Sequence, residues 1–288
     1  MWNSGFIGAE YGLPYAGTFT LLFYRYLALT LLIFFYLLLR DQFYWVGWRA
    51  AWHQMIIGLL AHGVWLTCVL FAIDYGVPAG IVALVVALQP LATGALSGVV
   101  VGERTPWNQW LGLIIGFFGV AIPVVLRVDF QNAYEVFAWF IPLGSVIALT
   151  AASLFQRKIS LKRSYENVPK GLSLFYQSLA SMIFLLLPAI FIEGLSVKWS
   201  PVFVSALIWL VLAVSLGAYV LMWILIDRIK TTKVASLFYL GPPVTMLMAW
   251  LAFGDKVALI DVLGLILVFV GVLMTYFNSG STSKSGIK

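Results

Sequence analysis

Charge is scarce in this sequence. Asp, Glu, Lys and Arg make up 10% of its 288 residues, against 62% hydrophobic residues. No soluble globular domain has that balance. There is one cysteine, Cys68, so no disulfide can form within the chain. There are only two histidines, His53 and His62, which fall at different depths of one apolar run, so no metal site is expected. No Walker A pattern occurs, so ATP is not the direct energy source. No H-E-x-x-H and no pair of aspartates deep in an apolar run occurs, which argues against a membrane-embedded protease. The alternation of apolar and polar residues that marks a β-barrel is also lacking. Met1-Trp2-Asn3-Ser4-Gly5 has no basic start, so no cleaved leader is expected.

What is present is a series of apolar runs. Mean hydropathy is +1.01, and runs of about 20 apolar residues are long enough to cross a bilayer as helices. Ten spans are expected, at roughly 1–13, 19–39, 54–73, 79–101, 108–126, 136–156, 172–192, 204–226, 233–253 and 258–277. The first is short for a bilayer core, and its start is expected to lie upstream of Met1. The net charge of +6 is better read as loop bias than as a nucleic-acid footprint. One set of loops and the tail hold thirteen Lys and Arg, clustered at Arg157, Lys158, Lys162, Arg163 and Lys170 and at Arg228, Lys230 and Lys233. The opposite set holds Arg127, Lys198 and Lys256. Both termini are therefore expected in the cytoplasm. The Ser-, Gly- and Lys-rich tail 278–288 is expected to be disordered.

The chain also repeats itself. A shift of 152 positions matches Val82-Ala83 with Val234-Ala235, Pro90 with Pro242, Thr93 with Thr245, and Gly102-Glu103-Arg104 with Gly254-Asp255-Lys256. Leu111-Gly112-Leu113-Ile114 likewise meets Leu263-Gly264-Leu265-Ile266, and Gly119 meets Gly271. Between Val82 and Val120 the two copies share thirteen identities without a gap. Earlier in the chain, Leu22-Phe23-Tyr24-Arg25 meets Leu174-Phe175-Tyr176-Gln177. The expected fold is an all-α integral membrane protein of ten transmembrane helices in two five-helix repeats, 1–126 and 127–277. Five spans per repeat is an odd number, so the second repeat must enter from the opposite face, and the repeats are inverted.

Several stretches carry a family resemblance. They are Trp2-Asn3-Ser4-Gly5-Phe6, Tyr24-Arg25-Tyr26, Gly76-Val77-Pro78-Ala79-Gly80, Gln89-Pro90-Leu91, Gly102-Glu103-Arg104 and Leu111-Gly112-Leu113-Ile114-Ile115-Gly116. In order and duplication they resemble the EamA-type transporters of the drug/metabolite transporter superfamily, over nearly the whole chain. The resemblance implies ten helices in inverted repeats, with a central cavity made by spans one to four and six to nine. Spans five and ten would buttress it. It also implies export of amino acids or other small metabolites across a bacterial inner membrane. One departure is the acidic Glu10, where family members often carry a lysine.

Ionisable groups inside a membrane are costly and mark function. Glu10 near the end of span one and Arg25 early in span two fall at similar depth, and an ion pair between them is expected near the outer mouth. His62, in the middle of span three, can exchange a proton near neutral pH. Pro90, Pro242 and Pro243 fall near the middle of spans four and nine. There they should break the helix ladder and free carbonyls, beside Gln89 in the first case. Tyr24, Trp65, Gln177, Tyr219, Trp223 and Tyr239 are the other candidates for a cavity wall suited to an amphipathic solute. Gly94, Gly98 and Gly102, with Gly112 and Gly116, read as a close-packing face within or between protomers.

The function expected from these readings is secondary active transport of a small-molecule substrate by alternating access, with a proton as candidate coupling ion and no cofactor. The chain would act as a monomer or homodimer. A flippase for lipids or other amphiphiles built on the same fold is the alternative, and an embedded enzyme the less favoured one.

Overall fold

Backbone N–H and C=O groups cannot be left open in lipid, and helices satisfy them within one segment. The computed structural model describes residues 1–102, 107–127, 133–161, 168–221, 224 and 241–277. Among these there are helices and no strand, apart from one bridge between Ala16 and Val197. In chain order the helices are α1 (Ser4–Gly12), α2 (Thr18–Leu39), α3 (Trp48–Asp74), α4 (Ala79–Val101) and α5 (Trp107–Arg127). They continue as α6 (Ala133–Ser160), α7 (Lys170–Phe191), α8 (Pro201–Leu221), α9 (Gly241–Phe253) and α10 (Leu259–Phe277). Six of them, α2, α3, α4, α6, α7 and α8, are long and apolar enough to cross a membrane. Helices α5, α9 and α10 supply the shorter apolar stretches Trp110–Leu126, Gly241–Phe253 and Leu259–Gly271. Large apolar side chains such as Phe118, Ile147, Leu187 and Leu251 point outward. That is costly in water and is what contact with lipid requires. The chain is a multi-pass membrane protein. The Glu103-Arg104 turn, the middle of the basic loop and the tail lie outside the described residues.

The 152-residue shift is visible in the helices themselves. Helices α2 and α7 are each 22 residues long and begin and end 152 positions apart. They pack together running in opposite directions: Thr30 Oγ1 donates to Ser178 Oγ at 3.1 Å, and the rings of Phe34 and Phe175 lie 6.0 Å apart. Helices α4 and α9 end at Gly102 and Gly254, whose φ angles are 81° and 74°. This left-handed turn is open to glycine without a steric cost, which explains the matched glycines.

Helices α5 and α10 also pair in opposite directions, through glycines. A Cβ added at Gly119 would lie 2.7 Å from the Gly264 carbonyl oxygen, and one at Gly264 would lie 2.3 Å from that of Gly119. A Cβ at Gly271 would lie 2.4 Å from the Gly112 carbonyl oxygen. The backbones therefore touch, as small residues allow in membranes. Of the glycines expected to form a packing face, Gly112 and Gly116 do so within one chain, both close to Gly271. At Gly102 nothing lies within 4 Å of an added Cβ, so its role is the turn.

The two ends of the bundle differ. At the start of α2, the backbone N–H groups of Phe19 and Thr20 donate to the two Glu193 carboxylate oxygens, at 3.0 and 2.7 Å. Beside this cap the Lys198 N–H donates to the Tyr15 carbonyl at 2.8 Å. The connection between α1 and α2 is thus tied to the one between α7 and α8. At the opposite end the position matching Glu193 is Asp41, which is exposed, and α7 starts at Pro169 without a side-chain cap.

Candidate functional site

Two helices depart from regular α geometry at matching places. Helix α3 is π-helical over Leu59–Val64, and α8 over Trp209–Gly217. The first segment, shifted by 152, falls at 211–216, within the second. A π turn fits an extra residue into the helix and re-aims the side chains around it, and such turns are frequent at functional sites. Here the first carries His62 and the second carries Ser215.

Both residues face one cavity, closed in by α1, α2, α3 and α8. Its volume is about 30 Å³, room for a water or two, so a whole solute enters only as the helices around it part. Arg25 and Tyr26 enter it from α2, His62 and Trp65 from α3, and Ser215 and Tyr219 from α8. Trp2, just ahead of α1, closes it with a ring 5.2 Å from that of Tyr219 and 6.3 Å from that of Trp65.

Arg25 is only 5% exposed. Its Nε donates to Ser215 Oγ at 2.8 Å, and its guanidinium carbon lies 5.8 Å from the centre of the Tyr26 ring. His62 belongs to a separate hydrogen-bond chain. With the proton on Nε2, His62 donates to Gln177 Oε1 at 3.1 Å and accepts at Nδ1 from the Tyr219 hydroxyl at 3.2 Å. Gln177 Nε2 then donates to Gln54 Oε1 at 2.9 Å. The chain depends on a close crossing of α3 and α7, since a Cβ on Gly58 would lie 2.3 Å from the Gln177 Cα. Ser181 adds a bond from its hydroxyl to the Gly58 carbonyl at 3.0 Å.

The structure therefore brings together Arg25, His62, Trp65 and Tyr219, with Gln177 behind His62. The expected Glu10–Arg25 ion pair does not form. Glu10 lies toward α9, with Asp255 as its charged neighbour and Oε2 buried without a hydrogen-bond partner. The adjacent Tyr11 ring packs 4.9 Å from Phe253 of α9. Arg25 instead faces α8. Equal depth along two helices does not set the rotation of each about its axis, and the two groups look in different directions.

The other candidates lie elsewhere. Tyr24 stacks edge-on with Trp199 at 5.5 Å and is not on the cavity wall. Gln89 Nε2 bonds Thr93 Oγ1 at 2.9 Å and Ser153 Oγ at 3.2 Å, tying α4 to α6. Ahead of Pro90, α4 is interrupted: Ala79–Val86 and Gln89–Val101 are separate helical pieces joined by a turn. This is the break expected of a proline, which cannot donate to the residue four earlier. Pro242 and Pro243 lie in the described part of α9 just after Gly241, and the residues ahead of them, where a kink would show, lie outside the described residues. Trp223 and Tyr239 lie outside the described residues. Three wall residues escaped the sequence reading: Trp2, Tyr26 and Ser215. Tyr26 adjoins Arg25 in the chain and could have been found that way; one serine among many gives no signal.

Comparison with known proteins agrees with this architecture. The profile of the "EamA-like transporter family" matches residues 1–125 and 136–277. A protein of Escherichia coli (strain K12) named "Probable amino-acid metabolite efflux pump" is 25% identical over 234 residues, covering 76% of each chain. A Streptantibioticus cattleyicolor protein named "Probable terminal-alkyne amino-acid exporter" is 28% identical over 201 residues, 69% of this chain and 64% of that one. A solved crystal structure superposes with a TM-score of 0.64 at 17% identity, over 95% of this chain and 96% of its own, and shares the fold. With both helical halves matched by one family profile, the chain belongs to the EamA-like transporter family.

Proposed function

We propose that this protein is a secondary transporter that exports small amino-acid-like metabolites by alternating access. The observation that carries the reading is the buried cavity where the two π-helical segments meet, lined by Arg25 and His62. The names of the Escherichia coli and Streptantibioticus cattleyicolor relatives support amino-acid metabolites as the cargo and export as the direction. Ten spans in two inverted repeats are supported by the opposite running of α2 with α7 and of α5 with α10, each a pair related by the 152-residue shift. On this reading both termini are cytoplasmic, in the inner membrane of a bacterium, and the Glu193 cap lies on the outer face and holds it shut. His62 is the histidine on the cavity wall, and a histidine is the side chain whose ordinary charge change lies nearest neutral pH, which makes a proton the first coupling ion to test.

The test is counterflow in proteoliposomes loaded with unlabelled amino acids and offered the labelled solute outside. Accumulation that depends on the protein supports a carrier. Absence of exchange for every small metabolite, with well-folded protein, overturns the proposal. Accumulation unchanged by an imposed pH gradient overturns proton coupling alone.

A further inference from the structure

We infer that the cavity recognises its solute by a carboxylate, and that the solute's amine, if it has one, is not required. This rests on the transporter reading above and names its substrate class. The argument starts from Arg25. A guanidinium carries five N–H donors and no acceptor. Here one of them, on Nε, is bonded to Ser215, and no carboxylate is paired with the group among the described residues. A cation buried within a membrane protein normally has a partner or faces a wet or ligand-filled space. Arg25 faces the cavity.

A second donor points the same way. Trp65 is 6% exposed, lines the same cavity, and its indole Nε1 is buried without a hydrogen-bond acceptor. Buried donors without acceptors are rare and ask for an explanation. The cavity wall offers no Asp or Glu, and Glu10 faces away from it. The site therefore presents donors and lacks acceptor charge. An anionic acceptor group supplies what Arg25 lacks, on a wall that also carries the unpartnered Trp65 indole, and a planar carboxylate fits the fork of a guanidinium. An ammonium meets no carboxylate on this wall, shares it with the like charge of Arg25, and is left with aromatic faces and hydroxyls. The remaining wall, with Phe6, Leu66 and Val69, is apolar and suits a hydrocarbon or aromatic body.

The experiment uses the full chain, with phenylalanine as labelled probe. Unlabelled competitors are 3-phenylpropionate, phenylalaninamide, phenethylamine and phenyl phosphate. In parallel, the thermal shift given by each compound is read on detergent-solubilised wild type, Arg25→Gln and Arg25→Lys. The expected result is that 3-phenylpropionate competes as well as phenylalanine. The amide and amine should be weaker by on the order of 100-fold or more, because a site built for a polar group rejects an analogue without it. The thermal shift from 3-phenylpropionate should vanish in Arg25→Gln and be reduced in Arg25→Lys, which keeps the charge but loses the fork. If Arg25→Gln fails to fold, Arg25→Lys and Ser215→Ala carry the comparison.

Counterflow in which the amine or the amide competes as well as the acid overturns the inference and leaves the carrier standing. A stronger effect of phenyl phosphate than of the acid also overturns it. If phenylalanine does not exchange, the transporter reading is decided by the wider set of metabolites above, and the thermal shift alone decides this inference. A shift by the acid that depends on Arg25 supports it, and no shift by any carboxylate sinks it.

Discussion

Arg25 and Gln177 occupy matching positions on the paired helices α2 and α7, and each reaches across to the π-helical segment of the other half. There the likeness stops. Gln177 is bonded at both ends of its amide: its oxygen accepts from His62 and its nitrogen donates to Gln54. Among the described residues Arg25 carries its charge with a bond to Ser215 and faces the cavity. One position closes a polar network and holds helices together; its mate leaves donors over for something that comes and goes. A duplicated scaffold can thus fix one copy of a site as structure and keep the other for ligand.

The contrast can be broken from the Gln177 side. Gln177→Arg would place a second cation beside Gln54 and His62, neither of which is an acid that could receive it. A charged group inside a membrane helix costs about 2.5–3.5 kcal/mol on insertion scales. We expect poor yield and early elution as aggregate on size exclusion; a monodisperse variant of wild-type Tm would show that the matched positions are interchangeable. Gln177→Ala is milder. It strands the His62 Nε2 proton and the Gln54 oxygen, at about 1–3 kcal/mol, and thermal melting in detergent should show it as a clear fall in Tm. The smallest effects should separate Glu193 from Asp41. Glu193→Gln weakens the cap on α2 by about 1 kcal/mol. Asp41→Asn, at the exposed counterpart, should stay within about 0.5 kcal/mol of wild type. Equal shifts in the two melts would remove the distinction between the two ends.

Much of the fold was legible in the sequence because the features that survived duplication are backbone requirements. Gly102 and Gly254 match because both helices end in a left-handed turn, and Pro90 marks a break because proline lacks a donor. The site was legible only as a set of rare polar residues in apolar runs. Arg25 and His62 stood out for that reason. Their partners did not, because the rotation of a helix about its axis and the extra residue of a π turn are set by packing between helices, which no local pattern records. Hence Glu10 was paired with Arg25 on depth alone, and Ser215 was passed over. In a chain with 16% aromatic residues, Tyr26 was marked only by its neighbour Arg25, and Trp2 by nothing that separated it from rings facing lipid.

The glycine seam between α5 and α10 has a consequence of its own. The contact of Gly119 with Gly264 and the contact of Gly271 with Gly112 are one contact made twice, since the shift that turns 119 into 271 turns 112 into 264. The surface is self-complementary, as in the interface of a symmetric pair of identical subunits. Two separate copies of a helix with this surface would meet, running in opposite directions, through this same seam. Joining them in one chain fixes their ratio at one to one and frees each copy to diverge wherever the seam is not.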